Sequence, residues 1–489
     1  MKYFTLFITI SLLFLIYTMV IYLFNNTVTN FSRNSVDYYI NFLNEQEPKI
    51  SYSQNEILKH NTIYCQSHNI SNDKVNNTSV NSFYINLNWD TEGKNDNNED
   101  ISKLHNSLNT QYRLTKPRKS VPVDFSKSIE GLPDECGGHL DALWLWVNGS
   151  EEKWVESVKK YKPDYDSARF RDYNTLLYSM RSVYKYAPYI KRYFLATADQ
   201  VPSYLNAPLG ETSFILKSHN TNQSKYSHAK QHKESVEDVY NNHRDKDLYT
   251  LELVSHSEFV DNKSLPLFNS DALESRIHHI KNLGNCFVYF NDDFLLFRET
   301  PVSYFFKKGK IQRYHANDYG SKYFAARQKW DNSTFYTNKM LNKKFGKMMW
   351  RPHLLPSHVA YTMLKTSLLE MERVFQDEYE KQQMRKFREW NSINVMHLAL
   401  HYLYYTGKAD MIKQRDWSCY MALTMDHFKN QKAIFKINQT EPYAICVNDE
   451  MKEFEKDVEK GNTEIRYVLR WLQRSLPEKM PFEKGFGGD

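Results

Sequence analysis

The 489-residue sequence predicts an α/β fold, with a mostly parallel sheet flanked by helices and a helical C-terminal part behind an N-terminal transmembrane helix and stem. Strand and helix patterns alternate between residues 139 and 297, polar residues follow the apolar strands, and one long uncharged stretch opens the chain. Strand–helix–strand alternation is the order typical of parallel sheets. We therefore divide the chain into an anchor at residues 1–24, a stem at 25–125 and a folded domain at 126–489, with a helical subregion at about 356–480.

The anchor prediction rests on "YFTLFITISLLFLIYTMVIYLF", which runs from Tyr3 to Phe24 without a charge. A membrane-spanning helix needs about 20 apolar residues, so the length fits. A cleaved signal peptide would need a shorter apolar region and a small-residue cleavage site, and neither is visible. N-x-S/T sequons recur from Asn25 to Asn438, which is compatible with a lumenal body. We expect a single-pass type II membrane protein.

The stem is polar and rich in Asn and Ser, as in "NISNDKVNNTSVNS". Such a composition cannot bury enough apolar surface to order itself. The rest of the chain is apolar enough for a globular body, with an overall hydrophobic fraction of 41%. The net charge of +6 arises from 64 basic and 58 acidic residues, and no basic run dominates. We therefore expect no nucleic-acid partner.

The five cysteines form no C-x-x-C pair, which argues against a zinc site or a redox motif. In an oxidising lumen up to two disulfides could form. The sequence alone does not determine which cysteines pair.

The predicted sheet contains three strands, which are separated by two predicted helices. Leu143 to Val147 form an apolar strand before an Asn-Gly turn, and "FRDYNTLLYSMRSVYKYAP" carries a helical apolar stripe that ends at Pro188. A strand follows from Tyr193 to Ala198. A further helix then leads to "CFVYFNDDFLLF", whose first half reads as a buried strand.

The strand signal fades after about residue 335. "AYTMLKTSLLEMERVFQDEYEKQQMRKF" predicts an amphipathic helix, and "NVMHLALHYLYYTGK" a second helix that ends at Gly407. A last charged helix, "EKGNTEIRYVLRWLQRSLP", runs into Pro477.

Polar residues at the strand ends are the main indication of a site, because ligands of parallel sheets bind beyond the carboxyl ends of the strands. Asn148, Asp199 and the run from Asn291 to Asp293 lie there. Two adjacent carboxylates cost folding energy unless something pairs with them, and they suit Mg²⁺ or Mn²⁺, which could hold a diphosphate. The alternative is a turn that faces water. Asn448 and Asp449 likewise follow an apolar strand, and they too could form either part of a metal site or a turn that faces water.

Basic and histidine side chains supply further candidates. In "ARFRD", Arg171 could bind phosphate beside Asp172, or the segment could simply be a charged helix start. His353 and His358 lie in "RPHLLPSHV", and Arg388 comes after the predicted long helix. A histidine near a substrate hydroxyl could act as general base, although a lone histidine is more often structural.

In this order and spacing the motifs resemble the Stealth family of sugar-phosphotransferases. "LWLWVNGS" is similar to the first family block, and "RFRDYNTLLYSMRSVYKYAP", "LPLFNSDALESRIHHI" and "YFNDD" to the second. "RPHLLPSHV" with Arg388 resembles the third, and "ICVNDE" the fourth. The resemblance covers roughly residues 139 to 450.

The resemblance implies a nucleotide-sugar-binding core and transfer of a sugar-1-phosphate, with N-acetylglucosamine as the expected sugar, from a UDP-sugar to a hydroxyl of a glycan or glycoprotein, with release of UMP. It also implies a divalent cation, Mg²⁺ or Mn²⁺, and a Golgi membrane address. The matching positions imply catalytic roles for His358, Asp172, Arg388 and Asp293. They imply metal binding by Asp292, Asp293 and Asp449. They imply substrate binding by Trp146, Asn148, Gly149, Arg171, Asn269, Glu274, Asn291 and His353.

The sequence departs from the family pattern at Asp271 and at Arg276, where histidine is frequent in the family. Two other functions remain open. A metal-dependent glycosyltransferase would move the sugar alone and release UDP, and a catalytically silent glycan-binding member would keep the fold without turnover.

Overall fold

The computed structural model describes residues 63–64, 131–217, 225–227, 247–307, 312–320, 329–347, 353–413 and 418–486. These residues belong to one compact unit, Thr62–Asp489. The predicted anchor lies outside the described residues, as does the predicted stem apart from residues 63–64. Within the described ranges, no helix combines the length and apolar character needed to cross a membrane.

The described strands are, in chain order, β1 (Ile63–Tyr64), β2 (Asp141–Trp146), β3 (Arg192–Thr197), β4 (Thr212–Lys217), β5 (Lys225–Ser227), β6 (Asp247–Ser255), β7 (Cys286–Asn291), β8 (Phe294–Leu296), β9 (Gln312–Gly320), β10 (Leu354–Pro356), β11 (Tyr361–Leu364), β12 (Ala409–Lys413), β13 (Ser418–Leu423) and β14 (Ala444–Asp449).

The described α-helices are α1 (Glu152–Tyr161), α2 (Thr175–Tyr186), α3 (Ser270–Glu274), α4 (Val302–Phe305), α5 (Lys329–Lys344), α6 (Lys365–Val374), α7 (Gln376–Gln383), α8 (Val395–Tyr405), α9 (His427–Thr440) and α10 (Val458–Ser475).

A seven-stranded sheet in the order β11-β7-β2-β3-β6-β4-β5 forms the centre of the fold. Its middle strands β7, β2, β3 and β6 run parallel, whereas β11 and β4 pair antiparallel at the two sides. Every residue of β2 and β3 is buried, which explains why these strands are continuous apolar runs rather than alternating ones. The predicted parallel sheet flanked by helices is confirmed.

A second sheet, β1-β13-β14-β8, lies next to the first in the chain because β8 follows β7 after only two residues, Asp292 and Asp293. Strands β13 and β14 are parallel, and β8 is antiparallel to β14. A third sheet has the order β10-β9-β12. The two acidic residues therefore form the link between two sheets.

One disulfide joins Cys136, just before β2, to Cys286 at the start of β7. The pairing follows from the topology, since β2 and β7 are neighbours in the central sheet. Cys419 is also disulfide-bonded, and Cys446 is a buried free thiol.

The C-terminal part is helical as predicted, with α8 and α10 close to their predicted bounds, but it also contributes β11, β12, β13 and β14. The segment predicted as one long amphipathic helix contains the edge strand β11 and two helices, α6 and α7. All four residues of β11 are buried. A short, continuously apolar run fits a buried strand as well as a helix, so periodicity did not separate the two.

Candidate active site

The link between β7 and β8 places two carboxylates at the carboxyl end of the central sheet. Asp292 and Asp293 are half-buried, and the backbone carbonyl of Asp293 accepts a hydrogen bond of 2.9 Å from the amide of Val447 in β14. Among the described residues, neither carboxylate has a lysine or arginine partner within ion-pair distance. The described side chains thus leave the two carboxyls without a cationic partner.

Asp172 adds a third carboxyl group. It lies just before α2 and accepts a 2.8 Å hydrogen bond from the amide of Asn174, a residue with positive φ. Burial and the charges of Asp293 and Asp172 raise the pKa of Asp292 well above its usual value. We call Asp172, Asp292 and Asp293 the acidic site.

Burial alone raises the pKa of Asp293 to about 6, although hydrogen bonds oppose the shift. One of these comes from the thiol of Cys446, whose Sγ lies 3.2 Å from Oδ2 of Asp293. Burial likewise raises the pKa of Asp172. The buried indole N–H of Trp146 partly offsets that rise, although it makes no hydrogen bond of normal geometry.

Gly149 explains how Asp172 reaches this position. The amide of Gly149 donates a 2.9 Å hydrogen bond to the carbonyl of Phe170, and a Cβ at Gly149 would lie 2.2 Å from that oxygen. Only glycine permits this approach. The neighbouring Asn148 is fixed by Gln200, which accepts a 2.9 Å hydrogen bond from its amide and donates a 3.0 Å bond to its carbonyl. The predicted turn therefore holds the segment that carries Arg171 and Asp172.

Arg171 does not point freely at a ligand. Its Nη1 lies 2.5 Å from Oδ2 of Asp449, its guanidinium stacks 3.9 Å from the ring centroid of Phe454, and only 11% of its side chain is exposed. Asp449 also accepts a hydrogen bond from the amide of Met451. The pair joins the loop before α2 to the end of β14, and Asp449 would have to exchange Arg171 for a metal ion to act as a ligand.

Arg388 is held by Asp271 through two hydrogen bonds, 2.7 Å from Nε and 3.1 Å from Nη2. Nη1 makes no hydrogen bond with a described residue, and 18% of the side chain is exposed. Asp271 is only 3% exposed, so the pair is fixed from the protein side. An arginine oriented in this way can offer Nη1 to an anionic oxygen.

A buried set of polar side chains lies between α3 and β7. The hydroxyl of Tyr289 lies 3.1 Å from Oε1 of Glu274 and 2.7 Å from Oδ1 of Asn291. Burial and the charge of Asp271 raise the pKa of Glu274 to about 8. The raised pKa favours the neutral form of Glu274 at pH 7, and the single hydroxyl proton of Tyr289 can be donated to Glu274 or to Asn291.

His358 lies on the β8 side of the acidic site. Its ring centroid is 6.1 Å from that of Phe294 and 5.4 Å from that of Tyr420. Burial and the positive charge of Arg388 lower the pKa of His358 to about 4, so the ring is neutral at pH 7. Neither ring nitrogen makes a hydrogen bond with a described residue, which leaves the imidazole available as a proton acceptor.

Two predicted site residues lie elsewhere. His353 is buried with His401 and His397, at ring-centroid distances of 4.7 and 6.2 Å. Asn269 is 3% exposed and donates a 3.2 Å hydrogen bond to the carbonyl of Arg385. Their predicted contact with substrate stays a prediction, whereas their observed contacts are structural.

Sequence reasoning missed Cys446, Tyr173 and Tyr204. Burial, together with the nearby carboxylates of the acidic site, raises the pKa of both tyrosines, and the hydroxyl of Tyr173 donates a 3.2 Å hydrogen bond to the carbonyl of Val447. No local pattern marks these residues, because each reaches the site through contacts distant in sequence.

The acidic site offers carboxylate oxygens, the donor type that Mg²⁺ and Mn²⁺ prefer. Mg²⁺ prefers one or two carboxylates together with substrate phosphates and water rather than a closed protein cage. In the described part of the chain, the one group of three or more His, Cys, Asp or Glu residues with donor atoms within 4.8 Å of one another is His278, His279 and Glu372. Arg276 donates a hydrogen bond to the other oxygen of Glu372. These contacts link α6 to the segment after α3.

The sequence matches two conserved regions of one protein family. Residues 169–239 and 235–314 match Stealth protein CR2, conserved region 2, and residues 357–405 match Stealth protein CR3, conserved region 3. The matched regions contain Asp172, Asp292, Asp293, His358 and Arg388.

Curated relatives span more of the chain. The capsular polysaccharide phosphotransferase cps1A of Actinobacillus pleuropneumoniae is 27% identical over 62% of this chain and 78% of its own length. The exopolysaccharide phosphotransferase SCO2594 of Streptomyces coelicolor is 26% identical over 71% of this chain and 52% of its own. The capsular polysaccharide phosphotransferase SacB of Neisseria meningitidis serogroup A is 24% identical over 73% and 59%. The chain thus spans between about half and about three quarters of the length of these relatives.

Among solved structures, the inositol-1-phosphate CTP transferase from T. maritima gives a TM-score of only 0.26 at 9% identity, too slight a likeness to inform the fold. The family of the two conserved regions agrees with the names of the phosphotransferase relatives. The two regions contain the acidic site, Arg388 and His358. The chain is thus similar to the Stealth family sugar-phosphotransferases in two conserved regions, at residues 169–314 and 357–405.

Proposed function

We propose that the protein transfers a sugar-1-phosphate from a UDP-sugar to a hydroxyl of a glycan and releases UMP, with UDP-N-acetylglucosamine as the donor. The observation that carries the proposal is the acidic site without a described cationic partner, together with a neutral histidine that contacts Phe294 at the start of β8 and an arginine with one nitrogen free of described hydrogen bonds. Three relatives are named as polysaccharide phosphotransferases, which supports sugar-phosphate transfer in general.

In this proposal Asp292 and Asp293 hold Mg²⁺ or Mn²⁺, with Asp172 at the same site and Asp449 as a further ligand if it leaves Arg171. A bound divalent cation would neutralise charge on the donor diphosphate. The turn at Trp146, Asn148 and Gly149 borders the donor.

Arg388 contributes a directed hydrogen bond to a phosphate oxygen, because Asp271 fixes its plane and leaves Nη1 free. His358 accepts the proton of the acceptor hydroxyl. The acceptor oxygen then forms a bond to the β-phosphorus, and the bond between that phosphorus and the oxygen that bridges to the α-phosphate breaks. UMP leaves with the electron pair, and the sugar-1-phosphate remains on the acceptor as a phosphodiester.

The proposed location is the Golgi membrane, with the folded domain in the lumen and the membrane reached through the N-terminal helix. The described disulfide between Cys136 and Cys286 supports an oxidising compartment.

The test is a donor screen with the purified full-length chain, Mg²⁺ or Mn²⁺ and a set of oligosaccharide acceptors. We expect release of UMP together with a phosphodiester-linked product. Release of UDP would instead identify a glycosyltransferase that moves the sugar alone. Absence of turnover with every UDP-sugar, from protein that still binds glycans, would identify a silent member of the family.

A further inference from the structure

We propose that the exposed indole of Trp390 is a binding platform for the acceptor glycan and so forms an acceptor subsite beside the catalytic residues. This inference rests on the proposed function, because it names the residue that receives one of its two substrates.

Trp390 differs from the other tryptophans in the described core. Its exposed fraction is 67%, the highest of the large apolar side chains in the described part of the chain, whereas Trp144 and Trp146 are 0% and 5% exposed. An exposed indole leaves a large apolar face in water, and covering it would be favourable. The indole is therefore available to a ligand.

This exposure does not come from a loosely held loop. The amide of Glu389 donates a 2.8 Å hydrogen bond to Oγ of Ser392, closing a turn around Trp390. The amide of Asn394 donates to Oγ1 of Thr337 at 2.9 Å, which ties the end of the turn to α5. The turn presents the indole in a fixed place, so little conformational entropy is lost when a ligand binds.

Tyr336 fixes the orientation of the ring. The two rings meet edge to face with centroids 6.2 Å apart, and the hydroxyl of Tyr336 donates a 2.8 Å hydrogen bond to Oε2 of Glu378. The contact with Tyr336 thus holds the indole in one orientation while Trp390 stays 67% exposed.

The platform lies close to the catalytic residues. Trp390 follows Arg388 by two residues, so their Cα atoms are at most about 7 Å apart. Trp330, at the start of α5, lies 6.3 Å from the ring of His358, and Tyr336 is about 9 Å further along the helix axis. A glycan with its reactive hydroxyl at His358 can thus extend along α5 to Trp390.

The surroundings favour a sugar over a protein partner. A pyranose ring has a face of C–H groups that packs on an aromatic ring and a rim of hydroxyls that stay hydrated or bond to polar groups. Glu389, the residue before Trp390, has a side chain that is 54% exposed and can bond to such hydroxyls. A stable protein interface needs about 800 Å² on each side with an apolar centre, and one indole in a polar turn does not provide this.

The test uses the full-length chain with the substitutions Trp390→Ala and Trp390→Phe. Phe428→Ala is the matched control, because Phe428 is 63% exposed and lies on α9. Rates are measured against acceptor concentration at saturating donor. We expect Trp390→Ala to raise the KM for acceptor about tenfold, equivalent to about 1.4 kcal/mol of binding, with kcat and the KM for donor unchanged. Trp390→Phe should retain most of the affinity, and the control should match wild type.

A second assay separates the platform from the proposed reaction. Fluorescently labelled oligosaccharides ending in mannose, galactose or N-acetylglucosamine are titrated with wild-type and variant protein without donor. Weaker binding by Trp390→Ala supports the platform even if no UMP is ever released. Equal binding and equal acceptor KM in the two proteins overturn it while leaving UMP release intact. Failure of the wild-type chain to bind any of these probes also overturns it.

Discussion

The Asp293 carboxyl illustrates the conflict between folding and function on the scale of one residue. Burial raises its pKa to about 6 from a value near 3.8, so the folded protein favours the protonated form. Between these two values the unfolded chain releases the proton first, and stability therefore falls as the pH rises through this window. The charge that the proposed reaction uses is one that destabilises the fold.

We predict that Asp293→Asn abolishes turnover and raises the free energy of unfolding at pH 8. The gain should be about 1 to 3 kcal/mol, from a pKa shift of about two units, and it should disappear near pH 4. Urea unfolding of both proteins at the two pH values measures the difference. Adding Mg²⁺ should stabilise wild type but not the variant. A variant less stable than wild type at pH 8 would show that Asp293 has a structural role instead.

His358 combines a lowered pKa with ring nitrogens free of described hydrogen bonds. We predict that His358→Ala lowers kcat by about 10²- to 10⁴-fold, the usual contribution of a general base, with the Kd for the donor nearly unchanged. Steady-state kinetics and donor titration separate the two effects. His353→Ala, in the buried group with His397 and His401, is the comparison variant. It should lower the free energy of unfolding rather than kcat. An unchanged kcat in His358→Ala would remove this residue from the mechanism.

Single residues were predictable from sequence where the chemistry was local. Adjacent aspartates after an apolar strand indicated the acidic site, and an Asn-Gly pair indicated the turn at Gly149. The partners were not predictable, since Arg171 reaches Asp449 and Arg388 reaches Asp271 only after folding. A contact between residues more than a hundred positions apart leaves no periodic or turn signal in the chain.

At the scale of elements, the turn after β2 determines where the start of α2 lies. The carbonyl of Phe170 lies so close to Gly149 that an added Cβ would be 2.2 Å away, nearer than any real contact. The backbone on one side must therefore move if Gly149 is replaced, and Asp172 lies two residues beyond the contact.

We predict that Gly149→Ala destabilises the fold by about 1 to 3 kcal/mol, the usual cost of forcing atoms into a packed site. It should also lower kcat, because the shift displaces Asp172. Chemical unfolding and kinetics of the same preparation measure the two effects. The neighbouring exposed Ser150→Ala is the control and should change neither. Full activity in Gly149→Ala would mean that the loop before α2 moves independently of this turn.

Element prediction succeeded for the central strands and failed at the edge strand. Strands β2, β3 and β7 were expected from continuous apolar runs, and the parallel order followed from the helices between them. Strand β11 was taken as part of a helix because four apolar residues have no period of their own. Its pairing with β7 is decided by the tertiary structure, which a local pattern does not contain.

At the scale of the whole molecule, the buried histidines make the free energy of unfolding depend on pH on the acid side of neutrality. Burial lowers the pKa of His256 to about 4 and that of His401 to about 3, and the pKa of His397 is lowered further by neighbouring histidines. All are neutral in the folded state at pH 7. Below pH 6.5 these histidines take up protons in the unfolded chain but not in the folded chain, so their contribution lowers stability as the pH decreases, opposite in sign to the contribution of Asp293.

We predict that His256→Leu makes the melting temperature lose less, relative to wild type, as the pH falls from 7 to 5. His256 is 4% exposed at the end of β6, next to the ring of Phe259 and facing the charge of Asp199. Its shift of about 2.5 units corresponds to at most about 3 kcal/mol, which is lost between pH 6.5 and 4. Calorimetry of both proteins across this range measures the slopes. Because the substitution removes only the titration, the variant should lose less stability on acidification even if its stability at pH 8 is lower. Parallel curves for wild type and variant would show that acid acts through other groups.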